Sequence, residues 1–177
     1  MCVIPKVEDL ILKDGDTVAV DLETSDPDLK TKGSGAIRGT GFVCGIAVAT
    51  GEQTMYFPIH HLHDGQNHDP GETWTKLNKK LFQNPKIRKV FHNAIYDVCW
   101  IRAESGLMPK GELLDTMVAA SVIDVNRMQY TLNSLSKDYL GEKKLKWDLQ
   151  ARSEKECGIK DPMSNMEKLP YDLVKDY

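Results

Sequence analysis

Residues 17–26, TVAVDLETSD, alternate strictly, so that Val18, Val20 and Leu22 fall on one face of an extended chain and Ala19, Asp21 and Glu23 on the other. This period of two predicts a strand with one apolar face and two carboxylates side by side near its end. Their repulsion is unfavourable unless a positive group stands between them. Two further apolar, β-rich runs, GFVCGIAVAT and TMYFPIH, are separated by Gly51, Glu52 and Gln53 and predict an antiparallel hairpin continuing the same sheet. The period then becomes helical. TWTKLNKKLFQN carries Trp74, Leu77, Leu81 and Phe82 at helical spacing, and Pro85 ends it before a buried strand, IRKVFH. Asn93 is placed to cap the next helix, AIYDVCWIRAESG, which Gly106 ends. DTMVAASVID, TLNSLSKDYLG and LPYDLVKDY predict three more helices. This order describes an α/β fold, a mixed β-sheet flanked by helices, and residues 1–177 show no repeat or linker that would divide a single domain.

Composition narrows the picture. A hydrophobic content of 41% over 177 residues supports one real core. The net charge of -3 excludes a bulk polycation, so a nucleic-acid partner has to be held by local basic clusters and bound metal. No apolar run is long enough to span a bilayer, and the N-terminus lacks the pattern of a secretory leader, so a cytoplasmic location is expected. Cys2, Cys44, Cys99 and Cys157 form no CxxC pair, which argues against a zinc ribbon or a disulfide framework.

Three irregular stretches interrupt the elements. SDPDLKTKGSGAIRGTG directly follows the acidic strand and carries Lys30, Lys32 and Arg38 among glycines. A mobile basic loop there could hold a phosphate backbone, and a solvated insertion is the plainer alternative. GEKKLKWDLQARSEKECGIKDPMSN is expected to be a surface excursion. HHLHDGQNH holds His60, His61, His63 and His68 at a spacing that fits no common zinc motif and is expected to be a polar loop. Lys79, Lys80, Lys86, Arg88 and Lys89 are expected on a solvated face, as are Lys143, Lys144 and Lys146.

The acidic strand has a candidate partner in FHNAIYDVCW. Asn93 and Asp97, four residues apart, share one face at the start of a helix that follows a strand. Strand ends and the helices after them line the ligand crevice of open α/β sheets, which brings Asp97 towards Asp21 and Glu23. Carboxylate donors without clustered His or Cys favour Mg2+ or Mn2+ over zinc. Thr24 and Asn93 flank these acids and join Lys30, Lys32 and Arg38 as candidate substrate contacts. Asp115, in LLDTM, is expected to be a helix cap rather than a ligand, and His92 to pack at its strand end.

VDLET, HNAIYD about seventy residues later, and a tyrosine on a final helix resemble the three motifs of the proofreading 3′ to 5′ exonucleases of the DnaQ-like, DEDD type. YFPIHH, VFHNAIYDVCWI and LLDTMVAASVIDVNRMQYTLNSLSKDYLG, in that order, are similar to the exonuclease domain of bacteriophage-type family A DNA polymerases. The resemblance implies a ribonuclease H-like fold and metal-dependent removal of nucleotides from a single-stranded DNA 3′ end, with a polymerase domain C-terminal to it. It implies that Asp21 bridges two divalent ions, that Glu23 holds the first and Asp97 supports the second, and that Tyr177 orients the attacking water. Two alternatives stand beside it: an RNase D-like exonuclease acting on RNA, and a non-catalytic binding module on the same fold. In this alignment the last motif is Y-x-x-x-D beginning at Tyr177, so its acid would fall one turn further on. The 177-residue piece is therefore expected to be truncated within that motif and weak or inactive.

Overall fold

The computed structural model describes residues 3–62, 66–141 and 146–175. Five strands form one sheet in the order β3-β2-β1-β4-β5. Strand β1 (Thr17–Ser25) lies at its centre and buries Val18, Val20 and Leu22, as the alternation predicts. It pairs antiparallel with β2 (Phe42–Ala49), which pairs antiparallel with β3 (Thr54–Pro58). On its other side β1 runs parallel to β4 (Arg88–Phe91), and β4 parallel to β5 (Leu113–Asp115). The last strand is absent from the periodicity, because three residues are too few to display a pattern.

The expected open basic loop is folded into two short helices, α1 (Leu29–Lys32) and α2 (Gly35–Arg38). The fastening group is Asp26: its carboxylate accepts the Gly35 N–H at 2.8 Å and pairs with Arg38 at 3.3 Å. Gly35 also sits where a Cβ would lie 2.1 Å from the Thr40 carbonyl oxygen, so only glycine closes the turn.

Helix α3 (Pro70–Leu77) starts with Asp69 accepting the Glu72 N–H and Pro70 at its first turn, then widens into a π turn over Asn78–Phe82. It and α4 (Ala94–Ser105) cover one sheet face, where Trp74, Leu77, Leu81, Phe82, Trp100 and Ile101 pack on Val18, Val20, Leu22, Ile46 and Phe57. Helices α5 (Thr116–Ile123) and α6 (Leu132–Leu140) follow. The second charged connection is likewise more ordered than a surface excursion. It forms α7 (Lys146–Cys157), whose Leu149 is buried with Cys44, Tyr56, Met166, Leu169 and the short α8 (Tyr171–Val174) in a second cluster.

Lys89 is not on a solvated face. It is fully buried in β4, and its ammonium donates at 2.6 Å to the carbonyls of both Asn84 and Lys110. A four-carbon stem lets a lysine inside the sheet reach those two loops, and burial lowers its pKa. Lys80 similarly donates to the carbonyls of Val7 and Glu8.

Candidate active site

Strand β1 outruns its parallel neighbour. Its pairing with β4 extends only from Thr17 to Ala19, which leaves the following backbone groups on that edge in need of partners. The N–H of Leu22 finds one in the side chain of Asp97, at 3.1 Å to Oδ1. Leu22 is the residue between Asp21 and Glu23, so this bond seats the Asp97 carboxylate against the strand segment that carries the other two acids. Asp97 is 3% exposed. Burial, and after it the charge of Asp21, push its carboxyl up to about 8, with Glu23 adding a smaller push in the same direction and the Leu22 N–H opposing it.

The helix start that carries Asn93 and Asp97 thus brings Asp97 to the acidic strand. Asn93 itself does not cap with its side chain. It is the one non-glycine residue with positive φ among those described, at 69°, and makes no side-chain cap bond. Asp115 takes that role, accepting the N–H groups of Asn93 at 3.1 Å and Ala94 at 2.7 Å while also capping its own helix through Met117 and Val118. One carboxylate at the end of β5 therefore fixes the starts of both α4 and α5. Partial burial pushes its pKa up, and the four backbone donors outweigh that and hold it below the usual range. Asp115→Ala leaves four donors without their acceptor and should cost about 2–3 kcal/mol, read as a lower urea midpoint at constant slope. The contribution of Asp115 is present above the ordinary aspartate range and fades as pH falls below it.

Thr24 meets the second motif directly: its hydroxyl lies 2.8 Å from that of Tyr96, one residue before Asp97. Glu23 and Thr24 flank a bulge in the β1–β2 pairing, which turns the end of the acidic strand. Lys32 pairs with Asp28 at 3.0 Å, and Arg38 with Asp26 and with Asp28 at 3.6 Å, so both are engaged within their own segment. Lys30 is exposed. Tyr177 lies outside the described residues, as do His63, Lys143 and Lys144.

The other histidines are structural ties. His60 Nδ1 lies 3.0 Å from the Val43 carbonyl, His68 Nε2 is 2.9 Å from that of Pro5, and His61 is buried between Tyr56 and Leu169. His92 Nδ1 bonds to the Thr116 hydroxyl at 2.9 Å. Among the described residues no group of three His, Cys, Asp or Glu side chains forms a ready-made cation cage. The donor chemistry nonetheless fits a hard divalent ion. Asp21, Glu23 and Asp97 lie on β1 and at the start of α4, and a bound cation would relieve the burial of Asp97 beside two like charges.

A central strand with an acidic outer face, antiparallel on one side and parallel on the other, and a buried acid from the crossing helix define a ribonuclease H-like fold. The sequence profile of the 3′-5′ exonuclease family matches residues 6–171, and the chain belongs to that family. DNA polymerase I of Pseudomonas aeruginosa is 27% identical over 139 residues, which cover 77% of this chain and 14% of the polymerase. Among solved structures, Brucella melitensis NrnC with bound Mg2+ superposes with a TM-score of 0.54 at 19% identity, covering 72% of this chain and 55% of NrnC. The Trypanosoma brucei RNase D–GMP complex gives a TM-score of 0.61 at 19% identity, covering 90% of this chain and 45% of that one. The chain thus spans about half of these structures and a small part of the polymerase. Divalent metal ions are general cofactors of the family. No helix among the described residues is long and apolar enough to cross a membrane.

Proposed function

We propose that the chain is the proofreading 3′ to 5′ exonuclease domain of a family A DNA polymerase, hydrolysing 3′-terminal nucleotides of single-stranded DNA. The observation that carries this reading is the Leu22 N–H to Asp97 bond, which ties the acid of the second motif to the strand segment between Asp21 and Glu23. Similarity to a DNA polymerase I supports the DNA assignment. In this reading Asp21, Glu23 and Asp97 hold Mg2+ or Mn2+, which when bound lowers the pKa of water and stabilises a departing 3′ oxygen. Tyr177 contributes a hydroxyl that orients the water, and Asn93 and Thr24 contact the terminal nucleotide. The end of α5 and the connection after it leave Val122, Ile123, Val125 and Met128 between 74% and 94% exposed, apolar surface suited to contact with a neighbouring polymerase domain.

A second reading, an RNase D-like RNA exonuclease, draws on the fold shared with the RNase D and NrnC structures. The two are separated by the rates of nucleotide release from DNA and RNA oligonucleotides of matched sequence. Preference for DNA supports the first reading; faster cleavage of RNA replaces it with the second.

The α1–α2 segment supplies a further test. If Lys30, Lys32 and Arg38 touch phosphates, replacing all three with Ala weakens single-stranded DNA binding and flattens its dependence on salt by roughly 0.7 per lost contact. Arg38 also fastens the segment through Asp26, so Lys30→Ala alone is the cleaner variant. An unchanged slope in both returns the segment to a structural role.

A further inference from the structure

Tyr56 and His61 form a buried pair that the exonuclease reading leaves without a role. Register places Asp21 opposite Ala47 and Ala47 opposite Tyr56, so the tyrosine projects from the same sheet face as the carboxylates. Its ring occupies the space above Gly45, the residue paired with Glu23. A Cβ built on Gly45 would fall 1.8 Å from the Tyr56 hydroxyl oxygen. Tyr56 is 5% exposed and His61 4%. Burial foremost raises the pKa of the phenol, with Cys44 and then Glu23 and Asp21 adding to it.

The hydroxyl lies 2.6 Å from His61 Nε2, and His61 Nδ1 lies 3.0 Å from the Leu169 carbonyl. A carbonyl can only accept, so Nδ1 carries the proton, and the neutral ring that burial favours leaves Nε2 to accept from the tyrosine. The chain is directional: Tyr56 donates to His61, and His61 donates to Leu169. The next residue makes a second tie, with Leu62 N–H donating to the Glu167 carbonyl at 2.7 Å. Asn67 clamps the turn from both sides, accepting the His61 N–H at 2.8 Å and donating to its carbonyl at 2.7 Å. Leu169 leads straight into α8, and Tyr171 packs 6.3 Å from the Tyr56 ring.

We propose that Tyr56 and His61 are positioning residues, a latch that fixes the segment Met166–Val174, which leads to the third motif, against the strand face bearing Asp21 and Glu23. This rests on the exonuclease reading. Neither residue touches the reacting atoms. The latch sets where α8 sits relative to the first-motif acids, and a small error in such placement slows chemistry more than it weakens binding.

The test uses Tyr56→Phe, which keeps the ring over Gly45, together with His61→Phe and His61→Asn, in the natural full-length polypeptide. Asn retains a donor near the Nδ1 position, so it is the rescuing variant. Amide hydrogen exchange over residues 166–175 should speed up at least about tenfold in His61→Phe, which loses both bonds, while β1 and β2 stay protected; Tyr56→Phe and His61→Asn, which keep a donor for the Leu169 carbonyl and lose only the Tyr56–His61 bond, should each show a smaller rise. In the same proteins kcat for nucleotide release should fall about tenfold or more, with KM within about twofold of the wild type. Unchanged exchange, or equal loss of protection in β1 and β2, overturns the latch. Altered exchange with normal kcat overturns its role in positioning. A wild-type protein that releases no nucleotide refutes the exonuclease reading itself, and exchange then still decides whether the latch exists.

Discussion

Asp21→Ala in the natural full-length polypeptide should lower the rate of 3′ nucleotide release by at least about three orders of magnitude, because the proposed metal centre depends on this carboxylate. Asp21 projects from the polar face of the central strand, next to the backbone N–H that Asp97 accepts, and its charge is the largest felt by Asp97. Removing it takes away a metal donor and leaves Leu22 and the apolar face of β1 undisturbed. Binding of single-stranded DNA should survive within a few fold, and the melting temperature should hold. Cleavage at the wild-type rate would remove Asp21 from the centre.

The second large effect separates stability from activity. Asp97→Asn keeps an oxygen to accept from Leu22 and loses the charge that burial and Asp21 disfavour. Nuclease activity should fall at least about a hundredfold, since an amide is a poor ligand for a hard cation. The metal-free fold should behave in the opposite sense. The folded carboxyl, at about 8, lies above its ordinary 3.8, so the stability linked to its protonation is complete below the lower value and lost as pH rises through the upper one. With a chelator present, the wild type should therefore melt lower at pH 9 than at pH 6. Asp97→Asn should flatten that difference and gain about 1 kcal/mol at the higher pH, roughly 2–4 °C for a domain of this size. Excess Mg2+ should protect the wild type at pH 9 more than the Asp97→Asn variant, which keeps only Asp21 and Glu23, as followed by thermal melts.

Much of this was readable from periodicity. Val18, Val20 and Leu22 announce β1 because a strand covered on one face must alternate, and the same alternation isolates Asp21 and Glu23. Asp97 falls in the first turn of α4 because the sequence marks that start locally, whereas Asn93, at a left-handed φ of 69°, stands outside the helix and does not share its geometry. What the sequence hides depends on contacts between distant residues. The four donors converging on Asp115 come from the starts of two helices, and only Met117 and Val118 belong to the helix that the sequence suggests it caps. Lys89 reads as one more exposed cation until β4 is enclosed and its ammonium meets two carbonyls. The α1–α2 segment looks open because its glycines and charges are typical of a loop, whereas Asp26, nine residues before Gly35, closes it. Tyr56 could have been placed on the carboxylate face by pairing the hairpin in register. The link from its partner His61 to Leu169, 108 residues further along the chain, could not.

The most direct test of the account is the release of single nucleotides from a single-stranded DNA oligonucleotide by the natural full-length polypeptide, with label at the 3′ end in one substrate and at the 5′ end in the other. We expect immediate release of labelled mononucleotide from the first and a ladder shortening from the 3′ end in the second. Both should depend on Mg2+ or Mn2+, stop with chelator and be absent in Asp21→Ala. Cleavage that persists with chelator, begins within the strand or at its 5′ end, or is retained by Asp21→Ala would contradict a metal-dependent 3′ to 5′ exonuclease centred on Asp21, Glu23 and Asp97.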